Sequence, residues 1–151
     1  MKTITLDKID KESCEEILNS LYNEDGIILI VASGGGILWY KDILIKELNK
    51  HKDKVIMYGC EMLSAAFDLF NDFEGEKHLV ELCNVMIHKA DSTADISWSN
   101  NKGFIKRLEQ HNKLLRYKVK DFLTKKELQI FDRGEEVWII DEDRIKLIFG
   151  L

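Results

Sequence analysis

An α/β domain built on a largely parallel sheet is the fold class this sequence predicts, and three observations predict it. The segment GIILIVA, residues 26–32, is continuous, apolar and rich in β-branched residues, as a strand covered on both faces is. Two further short apolar runs, KVIMYG (54–59) and NVMIH (84–88), repeat that signature. Between and beyond them, apolar residues recur at helical spacing, and strands alternating with helices point to a parallel sheet. At 151 residues the chain reads as one domain, 1–151, long enough to bury a core.

Taken in order, Thr3 to Leu6 reads as a short strand. Ser13 followed three residues later by Glu16 is a capping-box pattern, and the helix behind it carries Ile17, Leu18 and Leu21. Asn23 to Gly26 turns the chain into the strand at 26–32. After Gly34, Gly35 and Gly36, a second helix carries Ile37, Leu38, Ile43, Leu44 and Leu48. KVIMYG is the next strand, MLSAAFDLF opens a third helix, and KHLVEL and NVMIH read as two more strands. From about Asn101 to Phe122, the positions Phe104, Ile105, Leu108, Leu115, Val119 and Phe122 define one long helix. Such a helix exceeds what a small sheet can cover, so part of its row, including Phe104, Leu108, Leu115 and Val119, is expected to lie exposed in a monomer. Thr124 with Glu127 is a second capping box, EVWII a final strand, and Asp141 the N-cap of DRIKLIF.

Composition narrows the function. A formal charge of -5 argues against a nucleic-acid surface, and the lysines between 102 and 126 alternate with apolar residues as a solvated helix face does. Cys14, Cys60 and Cys83 are an odd number without metal-ligand spacing, which fits reduced, mostly buried thiols in the cytoplasm. His51, His78 and His111 have no paired ligand spacing, so neither a metal nor another cofactor is expected. Trp39, Trp98 and Trp138 read as packing or interface residues, and Met57, Met62 and Met86 as core. The start MKTITLDKID has no apolar signal core, and the longest aliphatic run, Ile27 to Ala32, is too short to cross a bilayer.

Three of the nine glycines stand together in VASGGGILWY, residues 31–40, at a strand-to-helix turn. A turn of that kind can cradle a phosphate, but it lacks the Gly-Lys-Ser/Thr of a P-loop and the GxGxxG of a dinucleotide site. The same backbone can serve as an oxyanion hole, with amides aimed at charge that develops during acyl transfer. That chemistry needs a nucleophile and a base. Ser64 lies at the next strand-to-helix turn, followed by small Ala65 and Ala66. His88 closes the strand NVMIH, and Glu136 precedes VWII, where a carboxylate could orient the imidazole; Glu135 and Asp132 are alternatives for that role. Serine needs such a base because its hydroxyl is a weak nucleophile at neutral pH. Taken singly, each of these residues has an ordinary structural reading, and it is their order that carries the function.

That order resembles the ClpP/SppA class of serine peptidases. Ser33-Gly34-Gly35-Gly36 is similar to the family's Ser-Pro-Gly-Gly turn, and NVMIH to its asparagine–methionine–isoleucine–histidine segment. The separations, 24 residues from Ser64 to His88 and 48 from His88 to Glu136, are close to the family's. The resemblance covers about residues 26–150. It implies a crotonase-like fold of repeated β-β-α units with a long protruding handle helix. It also implies Ser64 as nucleophile, His88 as general base and Glu136 as the third triad member, where the family usually has aspartate. The amides of Gly35 and Ala65 become the oxyanion hole, and Gly34 and Gly36 border the substrate.

The chain departs from the family where Cys60, not glycine, stands four residues before Ser64, with Gly59 one earlier. Glu61, Met62 and Leu63 replace small residues. The segment that forms the family's axial pore loops is essentially missing, which argues against docking to an AAA+ unfoldase. The implied substrate is a peptide or unfolded protein, and the implied assembly a homo-oligomer through the handle helix, its lysines with Arg107 and Arg116 forming the rim. Two other readings are a catalytically inactive structural or regulatory subunit and a crotonase-type acyl-CoA enzyme. The second of these does not need the Ser–His–carboxylate order.

Overall fold

The structure is a computed structural model that describes residues 1–91 and 102–151. Its described strands are β1 (Lys2–Leu6), β2 (Ile27–Ser33), β3 (Val55–Leu63), β4 (Glu76–Ile87) and β5 (Val137–Ile139). The described helices are α1 (Lys11–Asn23), α2 (Leu38–Lys50), α3 (Ala65–Asp72), α4 (Lys102–Val119), α5 (Lys125–Asp132) and α6 (Glu142–Phe149). The five strands form one sheet in the order β1-β2-β3-β4-β5, and the pairings β1–β2, β2–β3 and β3–β4 are all parallel. The expected α/β class and largely parallel sheet are therefore present. The chain divides into two compact units, Met1–Met86 with Trp138–Leu151, and Ile87–Val137.

In the first unit, sequential strand order follows from one crossover helix per strand. Right-handed crossovers place successive helices on one face of such a sheet, and α1 touches α2 while α2 touches α3. That face buries Ile4 and Leu6 of β1, Ile27, Leu29 and Val31 of β2, and Val55 and Met57 of β3. Burial of a Val, Leu or Ile side chain contributes roughly 1.5–3 kcal/mol, so β2 and β3, with three buried apolar side chains each, contribute comparably to this core. Its alternate residues Ile28, Ile30 and Ala32 are half-buried, so GIILIVA is covered more fully on one side than on the other. Phe149 of α6 packs on Phe67 and Phe70 of α3, with ring centroids 5.6 and 4.8 Å apart.

Two local expectations are corrected here. The capping box of α1 is Asp10 with Ser13: Ser13 N–H donates to Asp10 Oδ1 at 2.9 Å, and Asp10 N–H to Ser13 Oγ at 3.1 Å. Ser13 is thus the third helical residue and not the cap, because Ile9 is fixed in extended form against the glycine turn and the helix starts directly after it. KHLVEL and NVMI form one strand, β4, where two were expected. Gly59 pairs with Leu79 and Glu61 with Asn84, so residues 80–83 of β4 loop out opposite Cys60 alone. Leu82 sits in that bulge at φ 59 and is 91% exposed.

The bulge is not confined to one strand pair. Between β2 and β3, Val31 pairs with Gly59 and Ala32 with Glu61, which again leaves Cys60 as the extra residue. Gly59 has no room for a side chain, because a Cβ there would lie 2.5 Å from Met62 Sδ and 3.0 Å from Phe70 Cε2. A line of register shifts thus crosses β2, β3 and β4. The elements follow one another as single strands alternating with helices up to β4, and consecutive separate strands are not found among the described residues.

In the second unit, α4 and α5 are joined by a fork: Arg116 Nε and Nη2 donate to the two Asp132 carboxylate oxygens at 2.8 and 3.0 Å. Arg116, expected on an intermolecular rim, is therefore bonded within its own chain. Thr124 and Glu127 form the expected capping box of α5. The α4 helix has 18 described residues, about 27 Å at 1.5 Å per residue. Its Leu115 and Val119 are buried, and Phe104 and Leu108 half-buried, contrary to the expected open row. The exposed apolar residues are instead Ile105 (37%), Leu114 (64%) and Tyr117 (67%). The stripe is covered at its C-terminal end, and Leu123 and Phe131 of the same unit are buried as well. Asn101, taken as the start of this helix, and Trp98 lie outside the described residues. Among the described residues no helix is long and apolar enough to cross a membrane.

Candidate active site

The strands β2 and β3 end side by side, with Ser33 paired to Met62. Parallel strands bring their following turns to the same edge, where ligands of α/β sheets gather. On β2 the turn is Ser33-Gly34-Gly35-Gly36. Gly35 takes φ 100 and Gly36 φ 153, a region that disfavours side chains. A Cβ on Gly36 would stand 2.1 Å from the Ile9 carbonyl oxygen, and Ile9 also bonds this turn by donating to Gly35 O and accepting from Ile37 N–H, each at 2.9 Å. A Cβ on Gly35 would stand 2.9 Å from both Leu63 O and Ser64 Cβ, and 3.2 Å from Ala65 N. Nothing lies within 4 Å of that position on Gly34. So of the two glycines assigned to the substrate border, Gly34 faces open space and Gly36 faces Ile9.

Ser33 organises the turn, a role its sequence position did not reveal. Its buried hydroxyl accepts from Gly35 N–H at 3.1 Å and lies 3.4 Å from Gly35 O. The Gly35 amide, expected as an oxyanion donor, is thereby engaged.

Ser64 joins β3 to α3 at φ 57 and ψ -122, one of two non-glycine residues with positive φ among those described. Such a conformation costs on the order of 1–3 kcal/mol and persists where surrounding bonds hold it. The Ser64 N–H donates to Met86 O of β4 at 2.8 Å, and its carbonyl accepts from Phe67 N–H at 3.0 Å. Serine at an N-cap ordinarily spends its hydroxyl on the helix amides, but Ser64 makes no side-chain cap bond. The half-buried hydroxyl stands at a strained strand-to-helix turn, beside the first amide of α3, that of Ala65. This is the geometry that lifts a nucleophilic serine clear of its own backbone. Gly35, Ser64 and Ala65 are thus brought together in the first unit.

His88 and Glu136 belong to the second unit. His88 is half-buried, and its Nδ1 lies 2.6 Å from the Lys89 carbonyl. A carbonyl can only accept, so Nδ1 carries a proton; in a neutral ring that leaves Nε2 with the lone pair, the tautomer a general base needs. Lys89 Nζ donates to the Asp132 carbonyl at 2.9 Å. The three carboxylates proposed for orienting the imidazole differ. Asp132 is forked to Arg116, whose hydrogen bonds hold its carboxyl below the ordinary range; Arg133 does the same to Glu135 through bonds of 3.1 and 3.3 Å. Glu136 is exposed, directly before β5.

Cys14 and Cys83 are buried, and burial pushes both thiols up, away from the thiolate a cysteine nucleophile would need. No group of three metal-ligating side chains occurs among the described residues. Asn84, at the start of NVMIH, has a buried Oδ1 without a hydrogen-bond partner. No protein-family model matches the chain, and none of the curated proteins matches it.

Proposed function

We propose that the chain is a ClpP-like serine peptidase that hydrolyses peptide bonds of unfolded protein. The observation that carries this reading is Ser64: a serine at positive φ, its hydroxyl not spent on capping, packed against Gly35. In this reading Ser64 Oγ attacks the carbonyl carbon and its proton passes to Nε2 of His88, which later returns it to the leaving amine. Glu136 is the carboxylate that stabilises the imidazolium, replacing or reinforcing the Lys89 carbonyl on Nδ1. The Ala65 and Gly35 amides receive the oxyanion. Gly35 N–H must leave Ser33 Oγ to do so. A neutral bond of that kind is worth about 1 kcal/mol net, whereas an oxyanion-hole donor contributes roughly 3–4 kcal/mol in the transition state. The exchange is favourable.

The line of register shifts supports a crotonase-like ancestry. The register shifts at Cys60 of β3 and at residues 80–83 of β4 lie at one level of the sheet, and in this reading they mark where the two strands of a β-β-α unit run together. The misplaced glycine has the same cause: Cys60 is an inserted bulge residue, which moves Gly59 one position away from Ser64. A cytoplasmic location and a homo-oligomer contacting through α4 go with this reading.

The second reading is an inactive subunit of the same fold, and the Ser33–Gly35 bond with exposed Glu61 three residues before Ser64 favours it. A fluorophosphonate probe separates the two. Labelling of the wild type that is lost in Ser64→Ala supports the peptidase; a wild type that never labels, at any protein concentration, supports the inactive subunit. A crotonase-type enzyme would instead bind coenzyme A.

A further inference from the structure

Asn112, on α4, bonds both backbone groups of one residue in another segment. The Ala90 N–H donates to Asn112 Oδ1 at 2.7 Å, and Asn112 Nδ2 donates to the Ala90 carbonyl at 2.9 Å. Two bonds from one planar amide hold Ala90 as a neighbouring strand would. They also fix the side chain's own orientation, since exchanging Oδ1 and Nδ2 would set donor against donor.

The Ala90 N–H and the Lys89 carbonyl belong to the same planar trans peptide and point in opposite directions. On one side that plane is gripped by Asn112 Oδ1; on the other its carbonyl accepts from His88 Nδ1. The freedom that could swing the carbonyl off the imidazole is rotation of this peptide, and the Asn112 bond opposes that rotation. A bonded N–H also polarises its own peptide, which makes the carbonyl a better acceptor. Lys89 is tied a second time, through its ammonium on the Asp132 carbonyl.

We propose that Asn112 is a positioning residue for His88: by holding the Lys89–Ala90 peptide it keeps Nδ1 protonated and Nε2 free to take a proton. This rests on the reading of His88 as general base, but the tautomer itself can be read without any activity.

Long-range 1H–15N correlation spectra of the full chain report which ring nitrogen carries the proton. The wild type should show His88 protonated at Nδ1. Asn112→Ala, which suits a helix interior, should give a mixture of tautomers at unchanged helix content by circular dichroism. Asn112→Asp keeps an acceptor for the Ala90 N–H and should restore the Nδ1–H form. Where hydrolysis is measurable, Asn112→Ala should lower kcat about tenfold at unchanged KM, as loss of an outer orienting bond at a histidine does. A ring that stays Nδ1–H in Asn112→Ala, or a wild type protonated at Nε2, overturns the proposal even if Ser64 labels. Mixed tautomers in Asn112→Ala with no hydrolysis by the wild type uphold the positioning and sink the peptidase reading instead.

Discussion

A first side-chain carbon placed on Gly35 would stand 2.9 Å from the Cβ of Ser64, closer than such carbons approach in folded proteins. The glycine turn after β2 and the serine turn after β3 are therefore packed backbone to side chain, and what the glycines admit is Ser64 itself, along with Ile9.

Gly35→Ala should destabilise the chain by about 1–3 kcal/mol, since it adds an L side chain at positive φ and a contact against a carbonyl oxygen. Gly34→Ala should stay within about 0.5 kcal/mol, the usual range for a surface change, because its Cβ meets open space. Urea unfolding of the two variants checks the contrast. Equal losses would mean that the turn does not depend on the Ser64 contact.

Ser64 carries strain that an alanine would share and a glycine would not. Ser64→Ala loses no cap bond, so its unfolding midpoint should match the wild type even as any labelling disappears. Ser64→Gly should raise stability by about 1 kcal/mol, through relief of the positive φ. A Ser64→Gly variant less stable than Ser64→Ala would show that the turn is not strained.

The Arg116–Asp132 fork gives a pH dependence of known sign. The folded carboxyl of Asp132 is held below its ordinary value by hydrogen bonds from Arg116. Its contribution is therefore complete above the unfolded value, about 4, and is lost as pH falls through the lower folded value. The melting temperature of the wild type should exceed that of Asp132→Asn at pH 7, and the gap should close on acidification. Because the pair is exposed, the gap should be small and should narrow in salt. A gap that widens toward pH 3 would contradict the assignment.

What the sequence disclosed, and what it hid, divides along the range of the interactions. The strand at 26–32, the Thr124–Glu127 box and the Asp141 cap rest on residues within one turn or one strand, and they lie where the pattern put them, give or take a residue. The strand expected at 54–59 instead runs on to Leu63, through Met62 and Leu63, which the pattern placed in the third helix. The approach of Gly35 to Ser64 was expected too, but from the family resemblance and not from any local pattern. By contrast, Asp10 and Ser13 are both good caps, and only the pairing of Ile9 with Gly36, far along the chain, decides between them. The β4 bulge lies opposite Cys60 of β3, a pairing between strands that no local pattern in β4 discloses. Asn112 acts on Ala90 across 22 residues, and no local pattern announces a side chain that bonds distant backbone. Helical spacing defined the apolar row of α4 but not which of its residues would be covered.

That last point reshapes the assembly expected of the chain. With Leu115 and Val119 buried, the contact on α4 would be formed by Leu114 and Tyr117, one turn apart on one face. Exposed apolar groups of this size, rimmed by charge, mark interfaces, and Lys106, Arg107 and Lys113 are exposed along the same helix. The acidic balance of the whole chain, a net charge of -5, supplies carboxylates for these cations to meet on a second copy. We therefore expect a homo-oligomer at micromolar concentration whose mass falls as salt rises, because contacts between exposed charges are screened within about 10 Å at 0.1 M. Leu114→Glu should dissociate it by placing a charge in the apolar centre, while Lys125→Ala, beyond the helix, should leave it intact. Light scattering decides the matter: a mass of 17.6 kDa at every concentration would remove the assembly and, with it, most of the case for a self-compartmentalised peptidase.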